Sequence, residues 1–273
     1  MPELPEVQAV VDSLQPLVGS QITAVAIHRN DIRRQVESYI TTALPGRSVA
    51  AVTRRAKLIV FHLDNSSYMT VHLGMTGQLL LNPPAIPHTH PHTHVTFNLS
   101  NFTLAFVDPR RFGRVRLASN NPHDDPLIAP EPLDISPADF TQRLRSCARP
   151  LKPALLDQRR IVCGLGNIYA DEALHLAGLH PKTRCSRVPA TRATRLHACI
   201  QTILRAAISA GGSTLRDYVN ARGERGEYAL SHKVYGRGGE LCLTCNSAVV
   251  KSFMYQQRTT AFCPVCQPRK ITG

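Results

Sequence analysis

Near the start of the chain, apolar residues recur at the spacing of one helix face: Val7, Val10, Val11, Leu14 and Leu17. Pro5 sits in the first turn, where a missing N–H costs little, and Pro16 should kink or end the helix. From about Gln21 to Leu117 the period shortens. Residues 22–27, 49–52, 58–61, 68–71, 78–81, 95–99 and 104–107 are short β-like runs separated by turn residues, at the spacing of a sandwich or barrel. Residues 120–137 hold five prolines and no periodicity, which predicts a linker. The helical period then returns over about 137–146, with Ser136 as its cap, and over 153–157, 168–177 and 190–210, the last ended by Gly211-Gly212. Residues 220–227 are polar and glycine-bearing and predict a mobile loop. Towards the end, 248–255 and 259–262 predict two strands joined by a turn.

The pattern implies an α+β protein. An N-terminal β-sandwich or barrel-like domain with a leading helix (1–119) is followed by a linker (120–136), a helical domain (137–230) and a ribbon (231–273). The 273 residues are 43% hydrophobic and 19% charged, the composition of an ordinary globular chain. No window reaches the roughly 18 uninterrupted apolar residues of a membrane span, and the N-terminus lacks the basic and apolar regions of a signal peptide. An intracellular protein with no membrane partner is expected.

Charge divides the chain. The formal net charge is +13. Residues 1–144 hold 12 Lys/Arg and 12 Asp/Glu, whereas residues 145–273 hold 20 and 7. So basic a second half points to a polyanionic partner, most plausibly nucleic acid.

Cys147, Cys163, Cys185 and Cys199 are scattered, but Cys242, Cys245, Cys263 and Cys266 form two C-x2-C pairs 17 residues apart. Such pairs can close a tetrahedral site around one Zn²⁺ with no open position, which makes it structural. Disulfides would need an oxidising compartment, and a thioredoxin-like redox pair would need one motif rather than two.

At the N-terminus, removal of Met1 would leave Pro2 with a secondary amine. An α-amino group titrates near 8, so a useful fraction is free at neutral pH. Attack on a sugar C1′ carbon would give an iminium ion, the electron sink for cleaving a glycosidic bond and then eliminating phosphate. Glu3 and Glu6 are paired carboxylates at the same helix end. One can serve as general acid or base, the other as a charge partner or cap.

Seven motifs in order resemble bacterial formamidopyrimidine-DNA glycosylases, essentially from end to end. They are Pro2-Glu3-Leu4-Pro5-Glu6-Val7, Arg54-Arg55-Ala56-Lys57, His72-Leu73-Gly74-Met75-Thr76-Gly77, Asp108-Pro109-Arg110-Arg111-Phe112-Gly113, Gly164-Leu165-Gly166-Asn167-Ile168-Tyr169-Ala170, Val234-Tyr235-Gly236-Arg237 and the four cysteines. The resemblance implies excision of oxidised purines from duplex DNA, followed by β,δ-elimination of the strand. It makes Pro2 the Schiff-base nucleophile, Glu3 the proton donor and acceptor, Glu6 a supporting carboxylate and Lys57 a proton donor at the phosphate. Met75, Arg110 and Phe112 would fill the void left by the extruded base and wedge the stack, Arg110 also contacting the orphaned cytosine. His92, Lys152, Asn167 and Tyr235 would contact DNA. Arg258 carries a proton-donor role in the family, but an arginine is better suited to clamping phosphate and stabilising charge.

The same resemblance implies a helix-two-turn-helix at about 137–177 and one structural zinc. It also implies a monomer acting on damaged double-stranded DNA in the cytoplasm, at the nucleoid of a bacterium. DNA would lie between the two halves. Some features depart from the pattern: histidines alternate at His88, His90, His92 and His94, which could bind a transition metal, although His92 contacting the backbone with the others in a solvated loop is the expected reading, and the approach to Lys152 is shorter than in the family, where Arg149 stands near a family lysine position. Two other classes compete. An oxidised-pyrimidine glycosylase of the endonuclease VIII type would carry other residues at 75, 110 and 112, and a non-catalytic damage-binding protein would not need Pro2, Glu3 and Lys57.

Overall fold

Leu4–Ser13 form the first helix (α1), with Pro5 in its opening turn. Pro16 falls just beyond it, in a 3-10 turn over Gln15–Leu17. The apolar stripe of α1 is buried against two antiparallel sheets. One has the order β1-β6-β7-β5, built from Ile22–Ile27, Thr93–Leu99, Thr103–Val107 and Gln78–Asn82. The other has the order β2-β3-β4-β8, built from Val49–Arg55, Leu58–Leu63, Tyr68–His72 and Arg114–Ala118. A short helix α2, Ile40–Ala43, lies between β1 and β2 in the chain. Each of the predicted runs forms a strand, and β8 is an eighth. Its sequence, Arg114-Val115-Arg116-Leu117-Ala118, alternates basic and apolar residues and buries only Val115 fully.

The computed structural model describes residues 1–32, 35–84, 90–214 and 218–269. The chain divides into two units, Met1–Asp125 with Ala210–Glu227, and Pro126–Ser209 with Tyr228–Gly273. Residues 210–227, expected to continue the helical domain, therefore pack with the first unit. The reason is their bonding: Ser213 N–H donates to Glu6 Oε1 at 2.7 Å, the Tyr218 hydroxyl to Glu6 O at 2.9 Å, and Ala221 N–H to Ser13 Oγ at 3.0 Å. Within this segment the 220–227 stretch holds an Asx turn, where Asn220 Oδ1 accepts from Arg222 and Glu224 N–H at 2.9 and 3.0 Å.

The second unit contains α3 (Pro137–Arg145), α4 (Leu151–Leu156), α5 (Asn167–Leu176) and α6 (Ala190–Ser209). Ser136 caps α3, its hydroxyl accepting from Asp139 N–H at 3.0 Å. Strands β9 (Lys251–Tyr255) and β10 (Arg258–Phe262) pair antiparallel, with Arg258 opposite Tyr255. Their two-residue turn, Gln256-Gln257, has both φ angles positive, at 48° and 60°, which matches the twist of a tight hairpin. The proline-rich stretch expected to be a linker includes a 3-10 turn over Pro122–Asp124. Among the described residues no helix is long and apolar enough to cross a membrane.

Candidate active site and metal centre

Strand register brings the motifs of the first unit to one end of its sheets. Leu58 pairs with His72 and His72 with Arg114, so the β2–β3 turn, the turn after β4 and the loop before β8 share an edge. These segments carry Lys57, Met75, and Arg110 with Phe112. In the other sheet Val107 pairs with Gln78 and with Thr93, which puts Asp108, Thr76 and His92 at the neighbouring strand ends. Ala56, in the two-residue turn before β3, has φ 53°, a left-handed conformation that non-glycine residues seldom take and that concentrates at functional sites. The Arg54 guanidinium braces that turn, donating to Ala56 O at 3.1 Å and to Gln8 Oε1 on α1 at 2.9 Å.

Glu3 and Glu6 are both almost fully buried, at 2% exposure. They form a reciprocal capping box: Glu6 Oε2 accepts from Glu3 N–H at 2.8 Å, while the Glu3 side chain accepts from the backbone of Glu6. Glu6 Oε1 is occupied by Ser213 N–H, and a Cβ on Gly212 would come within 2.8 Å of that oxygen. Glu6 thus ties the helix end to the returning segment. The N-terminal amine, here that of Met1, is held below its ordinary pKa chiefly by burial and further by the charges of Lys57 and Arg110, with Glu3 and Glu6 opposing. Pro2, the next residue inward, is buried, and Lys57 is buried as well. Burial, then Arg114 and Lys57, push His72 down to about 4, so it is a neutral acceptor for Gly74 N–H at 3.0 Å.

Met75 and Phe112 are the opposite case, apolar side chains 41% and 40% exposed. The Arg110 guanidinium lies 5.3 Å from the centre of the Phe112 ring. His92 is partly exposed, its carbonyl accepting from Asp108 N–H at 3.1 Å. His88 lies outside the described residues. His94 corrects the solvated-loop expectation: it is fully buried in β6 and its Nε2 donates to Asp108 O at 3.0 Å.

In the second unit, Gly164 (φ 79°) turns the chain into α5, which starts at Asn167. Asn167 is partly exposed, its amide donating to Thr259 O at 2.9 Å. Glu172 accepts from three consecutive backbone N–H groups, Lys233, Val234 and Tyr235, at 2.9, 3.0 and 2.8 Å, and so fixes the Tyr235 segment. Arg258 is exposed and lines a cavity of about 250 Å³ with Arg149, Asp157 and Tyr255.

Lys152, expected to contact DNA, is buried among protein partners. It is 1% exposed, with Nζ 2.7 Å from Asp171 Oδ1 and donating to Thr259 O at 3.0 Å. Asp171 Oδ2 also accepts from Ala261 N–H at 3.0 Å. Burial pushes the Asp171 carboxyl up while Lys152 pulls it back. The pair seats β10 on α5 and α4, and Arg149 is held by Asp157 at 2.8 Å. The DNA-contact expectation for Lys152 comes from the family resemblance, and Asp171, 19 residues further along the chain, is not visible as its partner in the sequence. Ser213, Tyr218 and Glu172 lie in none of the seven motifs, and Asp108, though it opens one of them, is given no role there.

The sulfurs of Cys242, Cys245, Cys263 and Cys266 all lie within 4.8 Å of one another. Cys242–Cys266 and Cys245–Cys263 are 3.9 and 3.7 Å apart. Four thiolates at roughly 2.3 Å from one tetrahedral ion would be about 3.8 Å apart. The donor set fits a closed metal centre.

Two family models match, the formamidopyrimidine-DNA glycosylase N-terminal domain over residues 1–115 and the formamidopyrimidine-DNA glycosylase H2TH domain over residues 128–219. A formamidopyrimidine-DNA glycosylase of Solibacter usitatus is 41% identical over 270 residues, covering 98% of this chain and all of that protein. Among solved structures, a mutant of Lactococcus lactis FPG in complex with a Fapy-dG containing DNA superposes with a TM-score of 0.90 at 32% identity, covering 98% of this chain and 100% of the other. Lactococcus lactis Fpg in complex with abasic-site DNA gives 0.89 at 32%, with the same coverage. Buried Glu3, Glu6 and Lys57, exposed Met75 and Phe112 and a four-cysteine ribbon thus coincide with end-to-end likeness: the chain belongs to the formamidopyrimidine-DNA glycosylase family.

Proposed function

We propose that this base-excision repair glycosylase removes oxidised purines, 8-oxoguanine and formamidopyrimidines, from double-stranded DNA and then cuts the strand. One observation carries the reading: the N-terminal amine is desolvated and within electrostatic reach of Glu3, Glu6, Lys57 and Arg110, while Glu3 and Lys57 are buried and Met75 and Phe112 exposed. Burial lowers the proton affinity of the Met1 amine, and the same desolvated surroundings would favour the free base of Pro2 once Met1 is removed. With Met1 removed, the Pro2 nitrogen attacks C1′ and the base departs with the glycosidic electron pair. Glu3 supplies a proton to the sugar oxygen as the ring opens to the iminium ion. Loss of a C2′ proton then expels the 3′ phosphate, and a second elimination expels the 5′ phosphate. Lys57 and Arg258 stabilise phosphate charge, with Asn167, Tyr235 and His92 as further DNA contacts. Lys152 acts through its seat for β10 rather than on DNA.

Phe112 and Met75 occupy the gap left by the extruded base, and Arg110 faces its orphaned partner. Zinc is the ion proposed for Cys242, Cys245, Cys263 and Cys266, where it would hold the ribbon's shape and take no part in chemistry. The protein acts as a monomer in the bacterial cytoplasm, at the nucleoid.

Borohydride trapping tests the reading. Methionine-processed protein should become covalently attached to DNA containing 8-oxoguanine opposite cytosine. No adduct would sink the lyase mechanism, and equal or faster cleavage of thymine glycol would move the assignment to oxidised pyrimidines.

A further inference from the structure

Asp108, at the end of β7, is fully buried, and a buried carboxylate is costly unless its oxygens are satisfied. Here the two oxygens serve two different loops. Oδ1 accepts from the Thr76 hydroxyl at 2.7 Å, in the turn that carries Met75. Oδ2 accepts at 2.7 Å from the backbone N–H of Gly113, the residue after Phe112. The Asp108 carbonyl adds Arg111 N–H at 3.2 Å and His94 Nε2 at 3.0 Å. Since a carbonyl only accepts, His94 Nε2 is the donor in that bond. Thr76 closes the circuit: having given its proton to Asp108, its oxygen accepts from Arg110 N–H at 3.2 Å. Packing leaves no slack between the loops. A Cβ on Gly74 would stand 2.6 Å from the Phe112 carbonyl carbon, and one on Gly113 would stand 3.0 Å from His72 O.

We propose that Asp108, acting through Thr76 and Gly113, is a positioning residue that locks the Met75 turn and the Arg110–Phe112 loop into one rigid element, so that the side chains filling the void and wedging the stack enter DNA as a unit. The inference rests on the reading of those three side chains given above. Exposed apolar side chains on two independent loops would each lose conformational freedom on insertion. A shared buried carboxylate orders both backbones in advance. The two segments lie more than 30 residues apart in the chain, and Asp108 is the group that bonds to both.

The test is single-turnover excision of 8-oxoguanine from duplex by the full-length protein, with 2-aminopurine fluorescence beside the lesion reporting insertion. Thr76→Val, which removes the hydroxyl at nearly constant shape, should slow duplex excision about tenfold or more, the scale of one hydrogen bond to a charged group. It should also shrink the fluorescence change. Trapping on a single-stranded abasic oligonucleotide, where no stack has to open, should stay within about twofold. Thr76→Ser should restore the duplex rate, and Asp108→Asn should repeat the pattern of Thr76→Val, because an amide nitrogen cannot accept. Wild-type duplex rates in Thr76→Val and Asp108→Asn, or equal slowing on duplex and single strand, overturn the proposal. Phe112→Ala separates the two levels. If it is slow while Thr76→Val is not, only the coupling fails; if it too is unchanged, the wedge reading fails and the coupling with it.

Discussion

The two units handle charge differently. The first holds 14 Lys/Arg and 12 Asp/Glu, the second 18 and 7. In the first, Glu3, Glu6, Lys57 and Asp108 are buried, among them the groups proposed to carry the chemistry. Glu6 and Asp108 there bind loops together through backbone N–H and hydroxyl donors. In the second, the buried acids Asp171 and Glu172 support other segments, the ribbon through Lys152 and Ala261 and the Tyr235 segment through three N–H groups. Its surplus of cations is otherwise largely on the surface. A reacting group needs a fixed position and a tuned proton affinity, which burial provides. Gripping a phosphate backbone needs exposed positive charge in quantity. Net charge alone identifies the second task and is silent on the first.

Glu3→Gln and Glu6→Gln sharpen the contrast within the first unit. Glu3→Gln should lower base excision by about 10²–10⁴-fold, the usual worth of a proton-transfer group, with little change in melting temperature. Glu6→Gln should act first on stability, by about 1–3 kcal/mol, because an amide nitrogen would then face a backbone N–H. Single-turnover kinetics beside thermal denaturation separate the two, and equal stability loss in both variants would erase the distinction.

Lys152→Met probes the second unit. It leaves Asp171 buried without its cation and should cost about 3–5 kcal/mol, much of it recovered by adding Asp171→Leu. Denaturant unfolding measures both. If Lys152 instead touches phosphate, stability will hold and the slope of log K against log[salt] will fall by about 1.

The smallest effect concerns pH. His72 has a folded-state pKa of about 4 against an ordinary value of 6.5, so the fold favours its neutral form. That contribution is intact above about pH 6.5 and is lost as pH falls towards 4. Replacing His72 with Asn should flatten this part of the stability profile, and an unchanged profile would remove His72 from the account.

Much of this was legible in the sequence because hairpin turns and helix starts carry local signatures. The seven predicted strands, the four longer helices of the second unit and the cysteine cluster all follow from short-range spacing. What escaped depends on partners far along the chain. Lys152 is expected to contact DNA, and nothing local in the sequence pairs it with Asp171 on another helix. Asp108 opens one of the motifs, but nothing in one dimension shows its bonds to Thr76 and Gly113. His94 belongs to a run of alternating histidines, and only the pleat of β6 turns it inward. The arginines of β8 masked its single buried valine.

The return of residues 210–227 to the first unit has a consequence for biosynthesis. Glu6 and Ser213 are 207 positions apart, so during translation Glu6 is made almost at once but lacks Ser213 until more than three quarters of the chain has been made. Such long-range closure is the slow kind. A chain made only as far as residue 125 contains every strand of both sheets but not Ser213, so the Glu6 end of α1 would be among the last parts of the first unit to set.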